Sequence, residues 1–205
     1  MKILLENIGR RFNREWIFKN LNYTFETGES YAILGRNGSG KSTLLQIIAG
    51  SLTPSEGRIT YLQDSKKLDP DYVFPNLSIA APYLDLVEEF TLTELINFHF
   101  KFKRFYAHFD TPAVIKLLGL GSSRHKPLKY FSSGMKQRTK LALAFCSDTS
   151  VLLLDEPTAN LDSQGIAWYR SCIETFSERR LVIICSNQEH EYDFCQAQLN
   201  ILDYK

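Results

Sequence analysis

The stretch SYAILGRNGSGKSTLLQIIA, residues 30–49, decides the fold of this chain. Its first five residues form a short apolar run that is suited to a buried strand. Residues 41–49 favour a helix that ends at Gly50. Between them, GRNGSGKS at residues 35–42 fits the pattern GxxxxGK[ST]. A strand, a glycine-rich loop and a helix in this order predict a loop that holds phosphate groups.

The chemistry of this loop follows from its residue types. Glycines let successive backbone N–H groups point inward, and the start of a helix adds partial positive charge. Lys41 supplies a mobile cation for the β- and γ-phosphates, and Ser42 offers an oxygen to Mg²⁺. The residues expected to hold the nucleotide here are Asn37, Gly38, Ser39, Gly40, Lys41, Ser42 and Thr43.

A second acidic motif lies far along the chain, in VLLLDE at residues 151–156. An apolar strand that ends in an acid places Asp155 at the carboxyl edge of the sheet, near the phosphate loop. Asp155 is therefore expected to hold Mg²⁺ through its water shell. Glu156 is expected to act as a general base on the attacking water.

The rest of the chain alternates between strand and helix patterns. Leu21 to Phe25 alternate with polar residues, which predicts a half-exposed antiparallel strand. We expect further strands near 58–62, 151–155, 181–186 and 199–202, and a polar loop over 64–71. Apolar strands that alternate with helices imply a mainly parallel sheet covered on both faces.

Helix signals cluster in the middle of the chain. Thr91 and Glu94 form a capping box, and the helix after it is expected to run through INFHFKFKRF to Phe105. Thr111-Pro112 opens a second helix that ends at Gly119. Other helices are expected over 163–178 and shortly after Asn187. Residues from about 85 to 145 are therefore expected to form a helical insertion.

Composition excludes several classes of protein. The 205 residues are 44% hydrophobic and 23% charged, which is typical of globular domains and excludes disorder, collagen and coiled coil. The net charge of +1 gives no bulk field for nucleic acid. No apolar run is long enough to span a bilayer, and the N-terminus does not fit a secretory signal. The four cysteines and four histidines have no zinc-ligand spacing, so reduced thiols and no metal cluster are expected.

Residues 98–106 interleave aromatic rings with positive charges. Such a pattern is compatible with base stacking in a single-strand channel. A helix with a basic solvated face and an aromatic buried face, or a protein contact surface, explains the same pattern, and we favour that interpretation.

Three further motifs carry a family resemblance. FSSGMKQR at residues 131–138 resembles the LSGGQ signature of ABC-type ATPases, and DEPT and ANLD at residues 155–162 resemble the end of the Walker B motif and the D-loop. With the phosphate loop they stand in the family's order, over nearly the whole chain. The resemblance implies a single α/β domain over 1–205 with the P-loop NTPase fold: a mainly parallel central sheet, an N-terminal antiparallel β subdomain and a helical subdomain.

The resemblance also implies a mechanism. ATP and Mg²⁺ would lie between the phosphate loop of one copy and Ser132 and Gly134 of a second copy, in a homodimer with Asp162 at the interface. Phe12 aligns with the aromatic residue that stacks on adenine, and Trp16 is its competitor. A separate integral membrane permease would dock on helices around 64–110, including Pro82 to Glu89. The chain would then lie in the cytoplasm on the inner face of the cell membrane, with no nucleic-acid partner.

Two positions depart from the family pattern. The glutamine that relatives use for Mg²⁺ and water falls at Pro82, which has no side-chain oxygen. The switch histidine falls at Asn187, which can donate to a γ-phosphate oxygen but carries no charge. His190 is an alternative if a turn shifts the register. We favour an ATPase, with turnover slowed by these two changes.

Three other functions stay open at this point. The departures at Pro82 and Asn187 are compatible with an ATP-dependent switch that hydrolyses weakly. A soluble ABC protein that acts on nucleic acid or ribosomes would carry two ATPase units or a long coiled coil, and this chain has neither. A small-molecule kinase would explain the phosphate loop but not the FSSGMKQR segment.

Overall fold

The computed structural model describes residues 1–205, apart from the side chain of Pro70. The strands are β1 Lys2–Phe12, β2 Glu15–Glu26, β3 Ser30–Leu34, β4 Glu56–Gln63, β5 Lys66–Leu68, β6 Leu77–Ala80, β7 Val151–Asp155, β8 Leu181–Cys185 and β9 Ala197–Asn200. The α-helices are α1 Lys41–Ile48, α2 Leu92–His99, α3 Thr111–Leu118, α4 Ser133–Phe145, α5 Ser163–Phe176 and α6 Glu189–Tyr192.

A five-stranded parallel sheet forms the centre of the fold. Its order is β6-β7-β8-β3-β9, and every neighbouring pair is parallel. The strands β7 and β8 are buried at every residue, as their continuous apolar runs predict. The expected α/β class with a mainly parallel sheet is confirmed. The phosphate loop follows β3 and the acidic motif ends β7, so both lie at the carboxyl edge of this sheet.

A second, antiparallel sheet precedes and flanks the first, with the order β2-β1-β4-β5. The alternation over Leu21 to Phe25 falls inside β2, so that prediction is confirmed. The expected loop over 64–71 is wrong in part, because Lys66–Leu68 forms β5. Asp64 and Ser65 both have positive φ, of 50° and 65°, and they join β4 to β5 as a two-residue hairpin turn.

The helical segment follows the expected signals at its start. Thr91 and Glu94 form the capping box of α2, and α3 ends at Gly119 in a left-handed conformation. The expected extension of α2 to Phe105 is wrong, since α2 ends at His99. The chain turns back so that the rings of Phe100 and Phe105 stack, with centroids 3.7 Å apart. This aromatic contact outweighs the helical pattern of the segment.

Smaller differences concern the bounds of other elements. The helix expected over 163–178 ends at Phe176, and the last strand lies at Ala197–Asn200 rather than 199–202, because residues 201–204 form a 3₁₀ turn. The helices expected around 64–110 as a docking surface are present only in part, because α2 is the only α-helix among the described residues of this region. The rest consists of β5, β6, short 3₁₀ turns and irregular segments.

Each face of the parallel sheet has its own hydrophobic core. One core joins α1 and the antiparallel sheet to β3, β7 and β8. The other joins the opposite face to α2, α3, α4 and α5, with large rings such as Phe145, Tyr169 and Phe176 at its centre. All four cysteines are free thiols, and three of them are buried. No α-helix in the described part of the chain has both the length and the apolar character of a membrane span.

Candidate functional site

The phosphate loop is held in a shape that only glycine tolerates at two positions. Gly40 precedes α1 with a φ of 107°, and a Cβ there would lie 2.5 Å from the Cγ2 atom of Ile17. Gly35 has a φ of 148°, and its Cβ would lie 2.6 Å from Oγ of Ser39. The backbone therefore turns closely enough for its N–H groups to face a bound anion.

The predicted phosphate-binding residues share one cavity. Its volume is about 330 Å³, and its lining consists of Ile17, Asn37, Gly38, Ser39, Gly40, Lys41, Ser42, Thr43 and Glu156. The ammonium of Lys41 is nearly buried and donates to the carbonyl of Gly35 at 2.7 Å. The Lys41 ammonium therefore lies inside the loop, within reach of a bound phosphate group.

Asp155 is the buried acid of this site. Its side chain is 1% exposed, and neither carboxylate oxygen has a hydrogen-bond partner among the described residues. Burial raises the pKa of Asp155 to about 6, while the neighbouring Ser42 hydroxyl and Lys41 ammonium act in the opposite direction. A buried carboxylate without partners, beside a serine hydroxyl, is an oxygen donor set that suits Mg²⁺.

Glu156 occupies a strained turn beside the phosphate loop. Its φ of 41° is unusual for a residue with a long side chain, and its backbone N–H donates to the carbonyl of Cys185 at 2.9 Å. The side chain is half-buried and lines the cavity. The turn after β7 therefore places this side chain at the phosphate-loop cavity.

Asn187 and His190, the two candidates for the switch position, lie in different places. Asn187 donates from Nδ2 to Oδ1 of Asn37 at 2.7 Å, so it reaches the phosphate loop. His190 instead places Nε2 3.1 Å from Oγ1 of Thr158, away from the cavity lining. The register shift that would bring His190 to the phosphate loop is absent from the described residues.

The signature motif lies in a separate cavity of about 260 Å³. Ser132, Gly134 and Asp162 all line it, together with Arg138 and neighbouring residues. The lining of this cavity shares no residue with that of the phosphate loop. Ser132 caps α4 by accepting from the N–H of Met135 at 3.2 Å, and Asp162 caps α5 by accepting from Gly165 at 2.8 Å. The two motif cavities therefore lie apart on one chain.

The aromatic candidates for adenine stacking stand at the end of the β1–β2 hairpin. Phe12 is 47% exposed, with the Arg10 guanidinium 4.5 Å from its ring centroid. The guanidinium of Arg11 lies 5.5 Å from the ring centroid of Trp16. Neither ring lines the phosphate-loop cavity, and Ile17 is the hairpin residue that does.

Three side chains at or near the site were missed by sequence reasoning. Ile17 packs on the loop, and Lys205 donates to the carbonyl of Ser39 at 2.8 Å. Glu191 is fully buried and accepts from the N–H of Thr158 at 2.7 Å, which braces the segment after Glu156. No local pattern marks these residues, because only the folded chain brings them to the loop.

Comparison with known proteins agrees with this geometry. The family model for the ABC transporter matches residues 18–159. An ABC transporter ATP-binding protein of Bacillus subtilis, YybJ, is 30% identical over 186 residues, which cover 90% of this chain and 84% of that protein. The energy-coupling factor transporter ATP-binding protein EcfA1 of Thermotoga maritima is 34% identical over 201 residues, covering 94% and 74%.

Solved structures share the fold. The dimeric ABC transporter cassette MJ0796 superposes with a TM-score of 0.82 at 24% identity, over 97% of this chain and 94% of that one. A putative ABC transporter ATP-binding protein of Pyrococcus furiosus gives 0.82 at 20% identity over 100% of both chains. Because the family model spans more than half of the sequence and its motif positions lie in the two cavities described above, the chain belongs to the ABC transporter family.

Proposed function

We propose that this chain is a Mg²⁺-dependent ATPase subunit that powers a membrane transporter through nucleotide-driven dimerisation. The observation that carries the proposal is the shared cavity of residues 37–43 and Glu156, beside the unpartnered carboxylate of Asp155. Phosphate ligands, an acid for the cation and a base for water thus meet at one sheet edge.

In the proposed hydrolysis of ATP, each residue of the site has a separate role. Lys41 leaves the Gly35 carbonyl and binds the β- and γ-phosphates, while backbone N–H groups of the loop hold the remaining oxygens. Ser42 and Asp155 would hold Mg²⁺, which when bound neutralises the charge on the phosphate oxygens. Glu156 takes a proton from water as the water oxygen bonds to the γ-phosphorus. The bond to the bridging oxygen breaks, and ADP and phosphate leave.

Asn187 supports the proposal that hydrolysis is slow rather than lost. Its amide already points at Asn37 in the phosphate loop, so it can donate to a γ-phosphate oxygen. It cannot supply the positive charge that a histidine would, and a neutral hydrogen bond stabilises developing charge less than an ionic one.

The separation of the two cavities supports a dimer. Ser132 and Gly134 stand at the start of α4, where backbone N–H groups favour an anion, yet they line no part of the phosphate-loop cavity. A second copy, related by a two-fold axis, would bring its signature to the first copy's nucleotide and would place Asp162 at the interface. Phe12, on the exposed hairpin end, would stack on the adenine.

Exposed apolar side chains support the proposal that a membrane protein docks on residues 64–110. Of the nine large hydrophobic residues exposed in the described chain, six lie in this region: Tyr72, Phe74, Tyr83, Val87, Phe98 and Phe102. An integral membrane permease that docks there would hold the chain on the inner face of the membrane. A photo-crosslinker at position 87 should then label a membrane protein in cells, and one at position 202 should not.

Glu156→Gln tests the hydrolytic function. The amide cannot accept the water proton, so phosphate release should fall by about two orders of magnitude or more while ATP binding is kept. The variant should also accumulate as an ATP-bound dimer with Mg²⁺, seen by size-exclusion chromatography. Glu178→Gln, at an exposed carboxylate far from the site, is the matched control.

A weakly hydrolysing switch is the second candidate, favoured by Pro82 and Asn187. The same measurement separates the two functions. If the parent chain and Glu156→Gln both release phosphate at the background rate, yet both dimerise with ATP, the chain is a switch. If neither dimerises nor binds ATP, both functions are contradicted.

A further inference from the structure

A fully buried acid that the proposed hydrolysis does not use lies behind the phosphate-loop cavity. Glu191 stands on the short helix α6, and it is 0% exposed. Its side chain is outside the lining of the cavity, so it does not contact the nucleotide directly. A buried carboxylate is costly unless hydrogen-bond donors surround it. The donors that surround Glu191 show which two segments it joins.

One carboxylate oxygen of Glu191 holds the turn that carries Glu156. Oε1 accepts from the backbone N–H of Thr158 at 2.7 Å and also from the hydroxyl of the same residue. The carbonyl of Glu156 accepts from the N–H of Ala159 at 3.0 Å, so Thr158 lies inside the turn that starts at Glu156. The position of the proposed base therefore depends on two hydrogen bonds to Glu191.

The other carboxylate oxygen holds the turn that carries Asn187. Oε2 accepts from the hydroxyl of Ser186, which is also fully buried. Oγ of Ser186 in turn accepts from the N–H of Gln188 at 2.8 Å, which closes a turn around Asn187. The amide of Asn187 leaves this turn and donates to Asn37 in the phosphate loop at 2.7 Å. Glu191 therefore acts on this amide as well.

The helix α5 fixes the backbone around Glu191. The hydroxyl of Tyr169 donates to the carbonyl of Glu191 at 2.8 Å, and this contact is buried. The guanidinium of Arg170 donates to the carbonyl of His190 at 3.3 Å and forms an ion pair with Asp193 at 2.8 Å. The carboxylate of Glu191 is thus held at a fixed point between the two turns.

We propose that Glu191 is a positioning residue for ATP hydrolysis. Its carboxylate joins the turn of Glu156 to the turn of Asn187, so the proton acceptor and the amide keep a fixed separation around the γ-phosphate. The inference rests on the proposed ATPase function of this site. Attack on phosphorus needs the base, the water and the phosphate in line, so loss of this connection slows the chemical step and leaves ATP binding nearly unchanged.

Steady-state ATPase kinetics of the full chain test this role. Glu191→Ala should lower kcat by at least about tenfold and change KM by less than about twofold, because only the transition state loses alignment. Glu191→Gln should recover most of the rate, since its oxygen can accept from Thr158 and its amide can donate to Oγ of Ser186. Glu189→Ala, at an exposed carboxylate on the same helix, is the matched control and should match the parent.

A double-mutant cycle separates positioning from general damage to the fold. Ser186→Ala removes the contact on the Asn187 side and should lower kcat in the parent. In an Asn187→Ala background the same change should cost little more, because the amide that Ser186 positions is already gone. General damage would lower the rate equally in both backgrounds. The cycle also decides the question if the melting temperature shows that Glu191→Ala does not fold.

The outcomes distinguish this inference from the function on which it rests. A kcat of folded Glu191→Ala equal to that of the parent would overturn the inference alone. Additive losses in the cycle, or a Glu191→Gln variant as slow as Glu191→Ala, would do the same. A parent chain that releases no phosphate above background would overturn the proposed hydrolysis and this inference with it.

Discussion

Gly40 stands where the phosphate loop becomes α1, and its backbone serves two purposes. Its carbonyl accepts from the N–H of Leu44 at 2.9 Å, which starts the helix, while its φ of 107° turns the loop around the cavity. A side chain at this position would meet Ile17 and would also strain the backbone. Anion binding and helix initiation are therefore coupled at a single residue.

Gly40→Ala should lose most nucleotide binding. The added Cβ would lie only 2.5 Å from Cγ2 of Ile17. The loop must therefore shift, and its N–H groups lose their alignment. We expect ATP affinity to fall by at least about tenfold, the effect of losing one or two charge-assisted hydrogen bonds. Titration with a fluorescent ATP analogue measures this.

Gly121→Ala is the matched control for that change. Gly121 has nothing within 4 Å of its added Cβ and no left-handed backbone. The control should bind nucleotide like the parent. Parent-like affinity in Gly40→Ala would contradict the role assigned to the loop geometry.

Among the secondary-structure elements, those with local signals were predictable and those made by pairing were not. The bounds of α3 follow from Thr111-Pro112 at its start and Gly119 at its end, which act within one helical turn. The strand β6 has four residues and is a strand only because it pairs with β7. α2 ends early because ring stacking after it outweighs helix propensity.

The residues of the candidate site also fall into those that a local sequence signal predicts and those that depend on tertiary packing. Residues 37–43 are contiguous, so the motif itself predicts their shared cavity. Lys205 reaches the site from the far end of the chain, and its position depends on the packing of whole elements. Phe12, by contrast, matches a sequence position and stays outside the cavity lining.

The contact between α2 and the end of α4 makes stability depend on pH. Nε2 of His99 lies 3.0 Å from Oγ of Ser147, whose own hydroxyl donates to the carbonyl of Leu143 at 2.7 Å, so the imidazole donates. Burial, followed by the charge of Lys103, lowers the pKa of His99 to about 4. The native state therefore keeps this ring neutral in mild acid.

His99→Gln should reduce the acid sensitivity of the fold. Below pH 6.5 the unfolded chain protonates His99, while the folded chain resists until about pH 4, so the free energy of unfolding falls as pH drops through this window. The parent should lose about 2 kcal/mol more than the variant between pH 7 and 4.5, measured by urea denaturation.

His108→Gln, at an exposed histidine, provides the comparison for this effect. It should lose as much stability in acid as the parent does. An equal loss in the parent and His99→Gln would show that burial of His99 does not control the response.

For the whole molecule, the proposed dimer predicts that neither copy works alone. A chain with Lys41→Met keeps its signature but lacks the phosphate-loop cation, and a chain with Gly134→Asp keeps the phosphate loop but places a negative charge where the γ-phosphate would lie. Each variant should be inactive by itself, because every site in its homodimer contains one defective half.

Mixing the two variants should restore activity. Random pairing makes about half of the dimers mixed, and each mixed dimer has one intact composite site out of two, so about a quarter of the parent ATPase rate is expected if the sites act independently. Phosphate release after mixing equal amounts measures this. The Cβ at position 134 would lie 2.9 Å from the carbonyl of Asn160, so the melting temperature of Gly134→Asp must first be shown to match the parent. If both variants are folded and their mixture is still inactive, the two-copy site is contradicted. A mixed dimer has one site in which an intact phosphate loop faces an intact signature motif, and that site should hydrolyse ATP.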